Sequence, residues 1–249
     1  MNPFRKLARS IQRRAAKIVL PNPRPVYGEY SMIYDTLSTS TQTSDYLIDL
    51  ALRTAKEAWQ IRLPELSQRV DAASNDFTPV WPGEHYRLLA ALVKISQPKH
   101  ILEIGTFRGL SALALKKFLP PAGKVTTFDI VPWESVPDTS LRAEDFADGR
   151  LRQEIADLSE PGAFESFRAL LQETELLFMD GPKDGIFERK FLRYLETVDF
   201  PKPLLVVLDD IRFWNMLTIW HEISRPKLDL TSFGHWSGTG LVEWRPTAS

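Results

Sequence analysis

The sequence predicts a doubly wound α/β domain with a mostly parallel sheet, helices on both faces and an antiparallel hairpin at its C-terminal end. Three observations predict it. From His100 onward, short unbroken apolar runs alternate with amphipathic stretches, as strands buried on both faces and joined by crossover helices require. A turn carrying two glycines follows the first run, where open α/β sheets place a ligand. The last two runs, Leu228 to Trp236 and Leu241 to Trp244, are separated by Ser-Gly-Thr-Gly with no helix between them.

Taken in order, residues 1–44 read as a basic helix followed by a linker arm. Arg5, Lys6, Arg9, Arg13, Arg14 and Lys17 occur with no acidic residue before Glu29, and Phe4, Leu7, Ile11 and Ile18 fall at helical spacing. Such a helix can lie on an anionic membrane or against a partner subunit, or it can pack as a solvated terminal helix on its own domain; an organelle-targeting segment is a third reading. The prolines and the Ser/Thr run of residues 21–44 break periodic structure. The main domain then spans residues 45–249, with a helical cover over 45–98. Asp45 is expected to cap a helix carrying Leu47, Leu50, Ala51 and Trp59 on one side, and Leu88, Leu89, Leu92 and Val93 predict a second helix over about 83–96. The strands are predicted at Ile101–Gly105, Val125–Ile130, Leu151–Ala156, Leu176–Asp180 and Leu204–Asp209.

Composition narrows the function. A chain of 249 residues that is 43% hydrophobic can build one large core. A net charge of −1 gives no ground for a nucleic-acid partner. With no cysteine there are no disulfides, thiolate metal sites or cysteine nucleophiles, so metal chemistry would use oxygen or imidazole. No apolar run approaches the roughly 18 residues of a membrane span, and no secretory core is evident near Met1, so a cytoplasmic location is expected. The oligomeric state is open, a homodimer included.

The turn after the first strand reads Glu103-Ile104-Gly105-Thr106-Phe107-Arg108-Gly109. Gly105 allows close backbone approach, and Gly109 opens a helix whose amides can receive an anion. The GxxxG spacing differs from the GxGxxG of dinucleotide folds, and the terminal hairpin also argues against a dehydrogenase. Asp129 ends the second run, from where a carboxylate can accept both hydroxyls of a ribose. Two further strands end in acids, at Asp180 and at Asp209-Asp210. Three carboxylates at one sheet edge repel one another, which a hard cation such as Mg²⁺ or Ca²⁺ would relieve. The competing account is that Asp209 only caps a helix and Asp180 binds cofactor alone.

Glu103-x-Gly105-x-x-x-Gly109-x-Ser111 followed by Asp129 resembles the class I S-adenosylmethionine-dependent methyltransferases, in particular the metal-dependent catechol and caffeoyl-CoA O-methyltransferases, over about residues 79–244. The resemblance implies that Glu103 and Gly105 flank the methionine part of the cofactor and that Thr106, Phe107 and Gly109 also belong to its binding site. It implies that Ser111 and the helix amides hold its carboxylate, that Asp129 holds the ribose and that Asp157 contacts the adenine. It also implies an Asp-x-x-Lys and an Asp-Asn pair as metal ligands and base, which here become Asp180-Gly-Pro-Lys183 and Asp209-Asp210. Asp180, Asp209 and Asp210 would then hold the metal, with Asp180 also beside the cofactor, and Lys183 would be the general base with its pKa lowered by neighbouring positive charge. Asp210 stands where the family has Asn.

The reaction so implied is direct methyl transfer to an oxygen of a small molecule with vicinal hydroxyls. A metal-independent or sugar-directed methyltransferase, and a non-enzymatic module that binds an adenosine cofactor, are the alternatives. Trp81, Phe107, Trp133, Phe213, Trp214, Trp236 and Trp244 are candidates to wall a flat acceptor, Trp81 and Trp133 foremost, and the loop from Pro132 to Asp148 is expected to help shape its pocket. His85, His100, His221 and His235 show no metal spacing; His235 alone is placed by the hairpin where it could overhang the acceptor.

Overall fold

The computed structural model describes residues 43–70, 85–213 and 215–245. The basic N-terminal segment, Trp81 and Trp214 lie outside them. Among the described residues three helices come first, α1 (Asp45–Gln60), α2 (Pro64–Ser67) and α3 (Tyr86–Ser96). Ser44, not Asp45, caps α1, its hydroxyl accepting from the Leu47 amide at 3.2 Å. The buried side of α1 is Leu47, Leu50, Ala51, Thr54 and Ala58. Trp59, one residue and about 100° beyond Ala58, is 62% exposed and does not belong to that face.

The sheet has seven strands in the order β3-β2-β1-β4-β5-β7-β6. They are β1 (His100–Ile104), β2 (Lys124–Asp129), β3 (Leu151–Ile155), β4 (Leu176–Met179), β5 (Leu204–Asp209), β6 (Lys227–Asp229) and β7 (Thr239–Trp244). The first five are parallel, and β7 pairs antiparallel with both β5 and β6. The connections carry α4 (Leu110–Lys116), α5 (Pro161–Ser166), α6 (Arg168–Glu173), α7 (Phe187–Leu195) and α8 (Met216–Glu222). The hairpin is present, but its loop is longer than the sequence suggests. Residues 230–238 are not strand, because Asp229 turns the chain by accepting from the Thr231 amide and hydroxyl.

Alternation along the strands divides the core in two. Ile101, Phe178, Val207 and Leu241 face α1, α3 and α4, whereas Leu102, Leu177, Val206 and Val242 face the layer containing α5 to α8. Glu103 and Thr127, paired across β1 and β2, point with the first set. A carboxylate is thereby fixed inside an apolar layer, directly beneath the turn that follows β1.

Candidate active site

Register alone brings the predicted residues together. Ile104 lies beside Phe128 and beside Met179, and Met179 beside Leu208. The next residue on each strand is therefore Gly105, Asp129, Asp180 and Asp209, in one row at the carboxyl edge. All four line one cleft of about 790 Å³. Phe107, Asp157 and Lys183 line it too, as do His85 and His235.

The turn after β1 is built for close approach. Gly105 has φ +96°, and a Cβ there would stand 2.1 Å from the Asp180 carbonyl oxygen, so no larger residue fits without moving the backbone. Its N–H donates to Phe128 O at 2.8 Å, and the Asp180 N–H donates to Ile104 O at 2.9 Å. Gly109, at φ +82°, sits against Leu141 and precedes α4. Thr106 is buried, its hydroxyl bonded to that of Thr127 at 2.7 Å, and Phe107 is 65% exposed at the cleft rim. Asp129 accepts from the amides of Phe107 at 3.0 Å and Ile130 at 2.7 Å, which orients its carboxylate and ties the first two turns together. Asp157 accepts from the Ser159 amide at 2.8 Å, forming a turn on the cleft wall.

Glu103 is fully buried, and neither carboxyl oxygen has a hydrogen bond of normal geometry among the described residues. Burial pushes its carboxyl up to about 7, against the opposing pull of the neighbouring Ser111 and Thr127 hydroxyls. Ser111, on the first turn of α4, is buried on the same side.

The acidic residues do converge. One carboxylate oxygen from each of Asp180, Asp209 and Asp210 lies within 4.8 Å of the others. Lys183 is drawn among them. Its ammonium is 2.6 Å from Asp180 Oδ1 and 3.8 Å from Asp209 Oδ2, and it pairs directly with Asp210. Burial works against the charge on Lys183, but Asp180 and Asp209 hold its pKa above the ordinary lysine value. The expected lowering is therefore not found in this arrangement, since the near charges are negative. Burial and repulsion from Asp209 raise Asp180 to about 7. Asp209 is also buried, yet His85 and His235 hold its carboxyl well below the usual range. It does not cap a helix, because Asn215 holds the cap position of α8.

Two left-handed residues shape this end. Lys183 has φ 62° and Asp210 φ 57°, and Asp is among the residues that tolerate that conformation best, which Asn shares. Glu188, fully buried on α7, receives the Lys183 and Gly185 amides at 2.8 and 2.9 Å and fixes the loop. Asp210 also accepts a hydrogen bond from Ser237. Sequence reasoning missed Glu188, Ser237 and His85. The signal for Ser237 lay in the antiparallel register, because Asp209 pairs with Thr239, whose hydroxyl accepts from the His235 amide at 2.8 Å and so brings the loop into β7 to the end of β5.

The aromatic expectations fare unevenly. Trp133 stacks on Phe146 with centroids 5.4 Å apart and packs on the core, and Trp244 is buried; neither lines the cleft. No residue of the Pro132–Asp148 loop lines it either. That loop docks on α4 through Leu141 and binds Arg69 through Asp145.

The amino-acid sequence matches known proteins over the same elements. Residues 38–137 match the model of the O-methyltransferase family. A catechol O-methyltransferase domain-containing protein of Mus musculus is 47% identical over 47 residues, a match spanning 19% of this chain and 18% of that relative. Among solved structures, an S-adenosylhomocysteine-bound methyltransferase of Podospora anserina is 16% identical, with 83% of this chain and 91% of that chain covered and a TM-score of 0.49. An O-methyltransferase of Bacillus cereus in complex with S-adenosylhomocysteine is 16% identical over 80% of this chain and 96% of its own, with a TM-score of 0.46. Over the residues that build α1, the glycine turn and β2, the chain is thus similar to the O-methyltransferase family.

Proposed function

We propose that the protein transfers a methyl group from S-adenosylmethionine to an oxygen of a small acceptor with vicinal hydroxyls, assisted by a divalent cation. The observation that carries this reading is the single cleft along the sheet edge, with Gly105, Asp129 and Asp157 at one end and Asp180, Lys183 and Asp209 at the other. Gly105 and the amides of α4 suit the methionine part of the donor, and Asp129 suits its ribose. The three carboxylates offer oxygen donors that fit Mg²⁺ or Ca²⁺. A cation held there would acidify a neighbouring acceptor hydroxyl. The charged Lys183 can steady a developing oxyanion, and it can take the acceptor proton only where a cation shares the surrounding negative charge. Phe107, Ile130 and Ile186 form an apolar rim that would keep water from the reacting atoms.

One observation favours a second reading. Lys183 already offsets part of the charge of the acidic group, as a metal-independent enzyme would have it. Transfer of labelled methyl from S-adenosylmethionine to catechol, with and without EDTA, separates the two. The cation-assisted reading expects EDTA and Asp180→Ala each to lower turnover at least 100-fold; undiminished transfer under EDTA would leave only the second. Asp129→Ala is expected to weaken S-adenosylhomocysteine binding by about 10- to 100-fold, the range for hydrogen bonds to a charged group, as measured by calorimetry. If wild type binds no S-adenosylhomocysteine, both readings fail.

A further inference from the structure

Asp209 has a second set of neighbours. While Oδ2 faces the Lys183 ammonium, Oδ1 lies 3.3 Å from His85 Nδ1 and 3.0 Å from His235 Nδ1. The two imidazoles are 5.2 Å apart at the centroids with planes at 85°, and both place Nδ1 on the same oxygen, Asp209 Oδ1. Packing fixes each of them, Phe178 against His85 at 5.1 Å and Trp236 against His235 at 5.5 Å. The three side chains come from three separate elements: the residue before α3, the end of β5 and the loop into β7. All three line the cleft.

Two of the three spacings approach those of a coordination shell. With metal–donor bonds of about 2.0–2.1 Å, two donors of a tetrahedral ion stand about 3.3–3.4 Å apart. The two nitrogen-to-oxygen edges here are 3.3 and 3.0 Å, and a donor atom from each of the three residues lies within 4.8 Å of the others. Two imidazoles and one carboxylate select borderline transition-metal ions over Mg²⁺ or Ca²⁺. We propose that His85, Asp209 and His235 bind one divalent ion of the zinc and cobalt class, with the remaining coordination position open to the cleft. This site differs in donor chemistry from the oxygen-only group of Asp180, Asp209 and Asp210, and it does not depend on the methyl-transfer reading. Protons shared between Asp209 and the imidazoles are the rival occupants of the same geometry, with the Ser237 hydroxyl 2.9 Å from His235 Nδ1 as a further partner.

The test is a Co²⁺ titration of the full chain, freed of metal by chelator, followed by visible absorption. One equivalent is expected to give the intense bands of a four- or five-coordinate ion, displaced by Zn²⁺ and not by excess Mg²⁺. His235→Gln and His85→Gln should each weaken binding at least tenfold, and Asp180→Asn should leave the bands in place. S-adenosylhomocysteine calorimetry and thermal unfolding on the same samples check that each variant folds; if His85→Gln does not, His235→Gln decides. Folded wild type without Co²⁺ bands, bands that survive both histidine substitutions, or bands lost in Asp180→Asn would each overturn the proposal. Loss of S-adenosylhomocysteine binding beside an intact cobalt spectrum would count against the methyltransferase reading alone.

Discussion

Replacing Lys183 by Met removes the ammonium that faces Asp180, Asp209 and Asp210 together, and it should expose how strongly those carboxylates repel. The Lys183–Asp180 contact of 2.6 Å corresponds to about 6 kcal/mol of attraction at an effective dielectric of about 20, before desolvation is subtracted. Breaking a buried ionic group by removing one partner costs about 3–5 kcal/mol. For a chain of this size each kcal/mol shifts Tm by about 2–4 °C, so Lys183→Met should unfold about 6–20 °C below wild type. Thermal unfolding followed by circular dichroism at pH 8 in chelator measures the difference. Millimolar Mg²⁺ should recover most of the loss in the variant and raise wild type by less, because there the ammonium already offsets part of the negative charge. Acidification below about pH 7 should recover part of it as Asp180 takes up a proton. A variant that melts within about 2 °C of wild type, or one rescued by neither cation nor acid, would show that the carboxylates do not interact as strongly as their spacing requires.

Glu103 makes a pH-dependent prediction. Its folded pKa of about 7 lies above the ordinary 4.5, so the fold holds the proton more tightly than the unfolded chain does, and stability falls as pH rises from about 4.5 to about 7. Glu103→Gln should relieve about 3 kcal/mol of that loss, stabilising the protein at pH 8 but not at pH 4.5, as urea unfolding at both values would register. A gain of the same size at both pH values would mean that the buried charge is not its source. At the glycine turn, Gly105→Ala must displace the Asp180 backbone and should abolish S-adenosylhomocysteine binding in calorimetry, while Gly109→Ala meets only the Leu141 side chain and should bind more weakly without losing the ligand. Equal effects at the two positions would contradict that distinction.

Much of this was legible before any coordinates. Continuous apolar runs specify strands buried on both faces, and the residue following each run marks the carboxyl edge, which is why Gly105, Asp129, Asp180 and Asp209 could be named from position alone. What stayed hidden depends on tertiary register or on local competition. Trp59 looked like part of the α1 stripe because it is apolar, although its angular position puts it outside. Ser44 and Asp45 are both capping residues, and only the hydrogen bond to Leu47 distinguishes them. Lys183 was given a lowered pKa from the positive charges a loaded site would bring; with three carboxylates nearest, the sign reverses. His85 and His235 are separated by 150 positions and meet at Asp209, the end of β5.

The contact between Gly105 and the Asp180 carbonyl has a thermodynamic corollary. The turn that would carry the methyl donor and the strand end that would carry a cation are in backbone contact, so neither can reposition without pressing on the other. Two ligands bound to such a pair share one coupling free energy: whatever factor a bound cation contributes to the affinity for S-adenosylhomocysteine, the cofactor must return to the cation by the same factor. The two halves of the cleft are in that sense one binding polynomial, with Gly105 and the Asp180 carbonyl in contact where they meet.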